Sequence, residues 1–126
     1  MSEHHCDAIV VHCMDFRLQH HLNRWIEERF GKRNYDRVSL AGGVFDLDTI
    51  RKQVAISHRL HAIRVAVLIN HEDCGAYGSE GTPERHRNDL LRARQLLQSD
   101  LPGLQVETYY LHLDGQFETI EADQAL

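Results

Sequence analysis

Two short segments hold the residues whose types and spacing could do chemistry. The first is Cys13-Met14-Asp15-Phe16-Arg17 and the second is His71-Glu72-Asp73-Cys74-Gly75. In the second, a His and a Cys three positions apart can reach one ion from a single turn of chain. A further thiolate from Cys13 would complete a set of two sulfurs and one nitrogen, a donor mix that suits zinc. Tetrahedral zinc with three protein ligands keeps a fourth position for water, which a catalytic site needs. Neither segment carries much weight alone, because a Cys closing an apolar run usually acts as a small apolar side chain. The pair becomes informative only if the fold brings both segments to one place.

The elements that must position them can be read from periodicity and punctuation. Ala8 to Cys13 is short, apolar and β-branched, as a buried strand is. Leu18 to Phe30 reads as a helix with Leu18, Leu22, Trp25, Ile26 and Phe30 on one face, stopped by Gly31. Arg37 to Leu40 is a second strand, broken by Ala41-Gly42-Gly43. Asp46 or Asp48 can cap a helix running to about His61, with Leu47, Ile50, Val54 and Leu60 inward. Val65 to Ile69 is apolar at every position, so both its faces should be covered. A loop from His71 to Gly81 leads to Thr82-Pro83-Glu84, a strong helix start, and that helix should run to about Gln98. Val106 to Leu113 and a short run around Phe117 to Ile120 complete the strands, joined by an Asp114-Gly115 turn.

Strand, helix, strand, helix, strand, helix, strand is the pattern of a three-layer α/β fold. We expect a mostly parallel sheet in the order 2-1-3-4, with a short antiparallel fifth strand at the edge. In such a sheet the ligand crevice lies beyond the carboxyl ends of strands one and three, where the connections diverge. Both chemical segments fall there. If the chain stays extended past Cys13, then Cys13, Asp15 and Arg17 share one face by the two-residue period.

In this order and on these elements, Cys-x-Asp-x-Arg after a first strand and His-x-x-Cys-Gly after a third resemble the β-class carbonic anhydrases. Val38-Ser39-Leu40-Ala41-Gly42-Gly43 is similar to that family's strand followed by an Ala-Gly turn. Leu111-His112-Leu113-Asp114-Gly115 is similar to its late strand ending in a Gly turn. The resemblance spans about Ala8 to Ile120. It implies Zn2+ as cofactor, Cys13, His71 and Cys74 as its ligands, and Asp15 and Arg17 as a carboxylate–guanidinium dyad beside it. It also implies a lyase that hydrates carbon dioxide to bicarbonate, and a homodimer or higher homo-oligomer with the metal near the subunit interface. Zinc brings water's ionisation near neutrality, so hydroxide can attack carbon dioxide. Asp15 would orient that hydroxide, while Arg17 would grip Asp15 and keep it off the metal. Two other readings stay open: a hydrolase of a sulfur analogue such as carbonyl sulfide, and a zinc protein without turnover in which Asp15 fills the fourth position.

Bulk composition sets the frame around this site. The 126 residues suit one domain, 1–126, of ordinary globular composition. A net charge of −5 argues against nucleic acid or an anionic membrane as partner. No apolar run approaches membrane-spanning length, and Met1 to Asp7 is too polar for a signal peptide. Three cysteines cannot all pair within one chain, so a reducing, cytoplasmic compartment is expected.

Other polar residues carry less. His4, His5 and Cys6 could form a ligand cluster, but a terminal position favours fraying. His12 points away from Cys13 and is expected to be a satisfied core or interface residue. His20, His21, His58, His61, His86 and His112 are read as surface, helix-face or packing residues. Asp73 could orient a ligand or simply cap its loop. Arg85, Arg87, Arg92 and Arg94 read as a solvated helix face. Cys13 and Arg17 are too close in sequence for a cysteine-phosphatase loop, and Ala41-Gly42-Gly43 lacks the G-x-G-x-x-G dinucleotide pattern.

Overall fold

The computed structural model describes residues 4–121. The strands are β1 (Ala8–Cys13), β2 (Tyr35–Leu40), β3 (Val65–His71), β4 (Gln105–Leu111) and β5 (Phe117–Thr119). The helices are α1 (Gln19–Phe30), α2 (Leu47–His61) and α3 (Pro83–Asp100). The sheet runs in the order β2-β1-β3-β4-β5, parallel except for the β4–β5 pair, as expected from the sequence. Among the described residues no helix is long and apolar enough to cross a membrane.

The pleat sorts β1 into two cores. Ile9 and Val11 face one side with Ile50, Val54, Leu90 and Leu97 of α2 and α3. Ala8 and Val10 face the other with Leu22 and Ile26 of α1. Every residue of β1 and β3 is buried, which explains their near-continuous apolar sequences. Each fully buried Ile or Leu contributes about 1.5–3 kcal/mol, so these two layers hold the central strands firmly. At the far edge Trp25 stacks on Phe117, with ring centroids 4.6 Å apart, and ties β5 to α1.

Local chemistry sets the helix ends. Gly31 closes α1 with a φ of 87°, Asp46 caps α2 by accepting from the Thr49 N–H, and Thr82 caps α3 by accepting from the Arg85 N–H. Three sequence expectations need correction. Leu60 faces outward at 44% exposure; Ser57 takes the inward place, its hydroxyl donating to Asp36 Oδ2 at 2.6 Å. β3 runs two residues further than its apolar stretch, through Asn70 and His71. The loop therefore begins only after His71.

Two buried imidazoles make the fold acid-sensitive. His12 donates from Nδ1 to the Cys13 carbonyl at 2.8 Å and accepts at Nε2 from Arg37 Nε at 2.6 Å, so the neutral ring is fully used. His86 accepts at Nδ1 from Asn70 Nδ2 at 2.9 Å. Burial pushes both rings down to about 4. The unfolded chain takes up these protons near pH 6.5, while the folded chain resists until about 4. Stability is therefore complete above about pH 6.5 and falls as pH drops from there toward 4, by up to about 3 kcal/mol per ring. Urea unfolding of metal-free protein should show a lower midpoint at pH 5 than at pH 7.5.

Candidate metal centre

The site forms where β1 and β3 end side by side, because the chain leaves these neighbouring strands in different directions. Cys13 is the last residue of β1 and His71 the last of β3, and Cys74 follows in the next turn. One donor atom from each of the three lies within 4.8 Å of the other two, and all three residues are buried.

His71 is held in the tautomer a metal needs. Its Nδ1 donates to the Glu72 carbonyl at 2.7 Å, which leaves the lone pair on Nε2. That Nε2 is buried and has no hydrogen-bond partner. An orphaned buried nitrogen costs about 1–3 kcal/mol unless something occupies its lone pair. A cation held with two cysteine sulfurs meets that need, so the donor set fits zinc.

The electrostatics favour a thiolate at Cys13. Burial pushes its thiol up, but the His71 ring when protonated at Nε2, with the backbone N–H groups of Gly42 and Asp15, outweighs it and brings it down to about 7; a metal ion would take the place of that proton. The Gly42 N–H lies 3.3 Å from Cys13 Sγ. This contact depends on the Ala-Gly-Gly turn, where Gly42 and Gly43 have φ of 87° and 63°. A Cβ on Gly43 would lie 2.5 Å from Asn70 Oδ1 and 2.8 Å from the Ile69 carbonyl oxygen. Burial pushes the Cys74 thiol up despite N–H groups from Tyr77 and Ala76, and negative charge on Cys13 adds to the rise.

Asp15 and Arg17 meet by a different route from the one expected. The chain does not stay extended: β1 ends at Cys13 and Phe16–Leu18 forms a 3-10 turn capped by Asp15. The Arg17 backbone N–H donates to Asp15 Oδ1 at 2.9 Å. Its guanidinium donates from Nε to Oδ1 at 3.1 Å and from Nη2 to Oδ2 at 2.7 Å. Arg17 also reaches across to Asp73, at Oδ2 from Nη1 (3.1 Å) and at the carbonyl from Nη2 (2.9 Å). The hydrogen bonds from Arg17 hold the Asp15 carboxyl down at about 2 despite some desolvation. Asp15 Oδ2 stands 3.9 Å from His71 Nε2, but the carboxylate is not one of the three mutually close donors.

An open cavity of about 730 Å³ leads to this centre, lined by Cys13, Met14, Asp15, Phe16, Arg17 and Asp73 among others.

A family model described as "Putative carbonic anhydrase" matches residues 3–121. The chain belongs to this family. Among solved structures, it is similar to β-carbonic anhydrase isoform I from Trichomonas vaginalis, with a TM-score of 0.68 and 16% identity over 95% of this chain and 85% of that one. It is also similar to the apo form of a carbon disulfide hydrolase, with a TM-score of 0.63 and 13% identity over 98% and 82% of the two chains. At these identities the likeness is one of fold. An uncharacterized protein of Rickettsia conorii is 31% identical over 132 residues, covering 90% of this chain and 71% of that protein.

Sequence reasoning missed the support beneath this carbonic anhydrase-like centre. Asn70 accepts the Val44 N–H at Oδ1 (3.1 Å) and donates from Nδ2 to Tyr77 Oη (3.1 Å) and to His86. Tyr77 donates to Asp89 at 2.7 Å and packs with Cys13 and Cys74. The network pins the glycine turn to β3 and α3, and so fixes Gly42 over Cys13. An Asn inside an otherwise apolar strand was the signal available for it.

Proposed function

We propose that this chain is a zinc-dependent lyase that hydrates carbon dioxide to bicarbonate. Cys13, His71 and Cys74 would hold the ion. Zinc at such a site supplies Lewis acidity that brings the ionisation of water into the neutral range. The carrying observation is the partnerless, buried Nε2 of His71 beside Cys13 and Cys74, with Cys13 lining an open cavity.

The chain's own residues would do the rest. Asp15, ionised throughout the working range, accepts a hydrogen bond from the reacting water and aims its lone pair. Arg17 keeps that carboxylate charged and occupied, so that it does not swing onto the metal. Asp73 anchors the other side of the same guanidinium. Met14 and Phe16 give the mouth an apolar surface that suits an uncharged substrate. The reading in which Asp15 closes the site is weaker, because Arg17 engages both of its oxygens.

Zinc-loaded protein should accelerate carbon dioxide hydration in a stopped-flow indicator assay from pH 6 to 9. Absence of acceleration at every pH would overturn the proposal. Turnover of carbonyl sulfide in a parallel assay, with none of carbon dioxide, would favour the sulfur-analogue reading instead.

The same face supports a homodimer. Phe16 is 86% exposed and Met14 64%, a large apolar rim beside the cavity, and a second copy would cover it. Light scattering at micromolar concentration should give twice the 14.6 kDa chain mass; a monomer would count against this arrangement.

A further inference from the structure

At the opposite end of the sheet a second set of donors converges. Cys6 stands just before β1, Asp36 lies on β2 and His61 closes α2. One donor atom from each lies within 4.8 Å of the other two. Along the strand, Cys6 and Cys13 are seven residues apart, about 23 Å in extended chain, so this is a separate place from the first centre.

The terminal fraying expected for Cys6 does not occur. Its side chain is only 8% exposed, its Sγ contacts the Ala8 carbonyl at 3.5 Å, and its backbone N–H donates to the His61 carbonyl at 3.2 Å. Asp36 Oδ2 accepts from His61 Nδ1 and from Ser57 Oγ, each at 2.6 Å. Both contacts use one carboxylate oxygen and leave the other for a cation. His61 Nδ1 faces that same carboxylate at 2.6 Å, so a cation entering between them would take the place of the Nδ1 proton.

We propose that Cys6, Asp36 and His61 form a second divalent transition-metal site. One thiolate, one carboxylate and one neutral imidazole balance the charge of a divalent ion and match the borderline softness of zinc. Without a cation, a thiolate beside Asp36 is repelled; with one, both negative groups are drawn together. The side chains of Asp36 and His61 are 30% and 28% exposed, so an ion can enter without unfolding the chain. Binding there would tie the start of β1, the edge strand β2 and the end of α2 together.

The test uses the full chain, stripped of metal, reloaded with zinc and cleared of free ion by gel filtration. Wild type should hold two equivalents per chain, and Cys6→Ser and His61→Ala should each hold one. Cys6→Ser should leave carbon dioxide hydration unchanged. A Cys13→Ser/Cys74→Ser variant keeps Cys6 as its single cysteine. Loaded with cobalt, it should show a thiolate-to-metal charge-transfer band that vanishes when Cys6→Ser is added. Saturation of wild type at one equivalent, or a folded double variant by circular dichroism without that band, would overturn the site.

Discussion

Cys13→Ser is expected to lose one equivalent of zinc per chain relative to wild type, and to reduce carbon dioxide hydration to the uncatalysed background. A serine hydroxyl does not ionise near neutrality and offers a hard oxygen where the site presents a soft, already acidified sulfur. In the metal-free chain a protonated His71 and two backbone N–H groups oppose burial and bring Cys13 down to about 7, so the sulfur is prepared to ionise near neutral pH. The substitution removes that advantage and one of three donors together. The loss of affinity should exceed the roughly 10–100-fold typical of residues that only support a ligand. The side chain is small and sits at a strand end, so the fold should survive, and circular dichroism would verify this. Stoichiometric metal at the first centre together with native turnover would remove Cys13 from the ligand set.

The sheet was legible because apolar runs and turn residues act locally. β1 is bounded correctly by composition alone, and Gly31, Asp46 and Thr82 mark helix ends through hydrogen bonds to their near neighbours. The strand order followed from parallel crossovers, which placed Cys13 and His71 at one switch point before any contact was known. What escaped depends on partners distant in sequence. The apolar run stops before Asn70 and a loop is expected from His71, yet Asn70 is buried with partners in the glycine turn, at Tyr77 and on α3. Leu60 fits the helical period but stays largely exposed, whereas Ser57 can be buried because Asp36 takes its hydroxyl. The Arg17–Asp73 link is invisible in sequence, since it uses an Asp in a left-handed conformation with φ of 58° and a capped 3-10 turn on the other strand's exit. The fraying expected at Cys6 fails for the same reason: its N–H is taken by the carbonyl of His61, far away in sequence at the end of α2.

Asp15→Ala separates metal binding from turnover. The carboxylate is not among the three mutually close donors, so zinc at the first centre should remain stoichiometric. Turnover should fall by about 10²–10³-fold, the range for removing one positioned hydrogen-bonding group from a transition state. Arg17 holds the carboxylate at about 2, far below the working range, so Asp15 is always ionised and does not shape the neutral limb of the pH profile. The variant should therefore show a lower plateau in kcat with the same inflection. A shifted inflection would mean that Asp15 acts on the ionisation of the reacting water rather than on its orientation. Arg17→Lys tests the dyad from its other side. Lysine keeps the charge but cannot send one donor fork to Asp15 while reaching the Asp73 carboxylate and carbonyl. An intermediate loss of roughly 10-fold is expected, within the span seen for outer-shell positioning groups. If Arg17 chiefly restrains Asp15, Arg17→Lys combined with Asp15→Ala should be no slower than Asp15→Ala alone, because the group being positioned is gone. Additive losses would show that the guanidinium touches substrate in its own right.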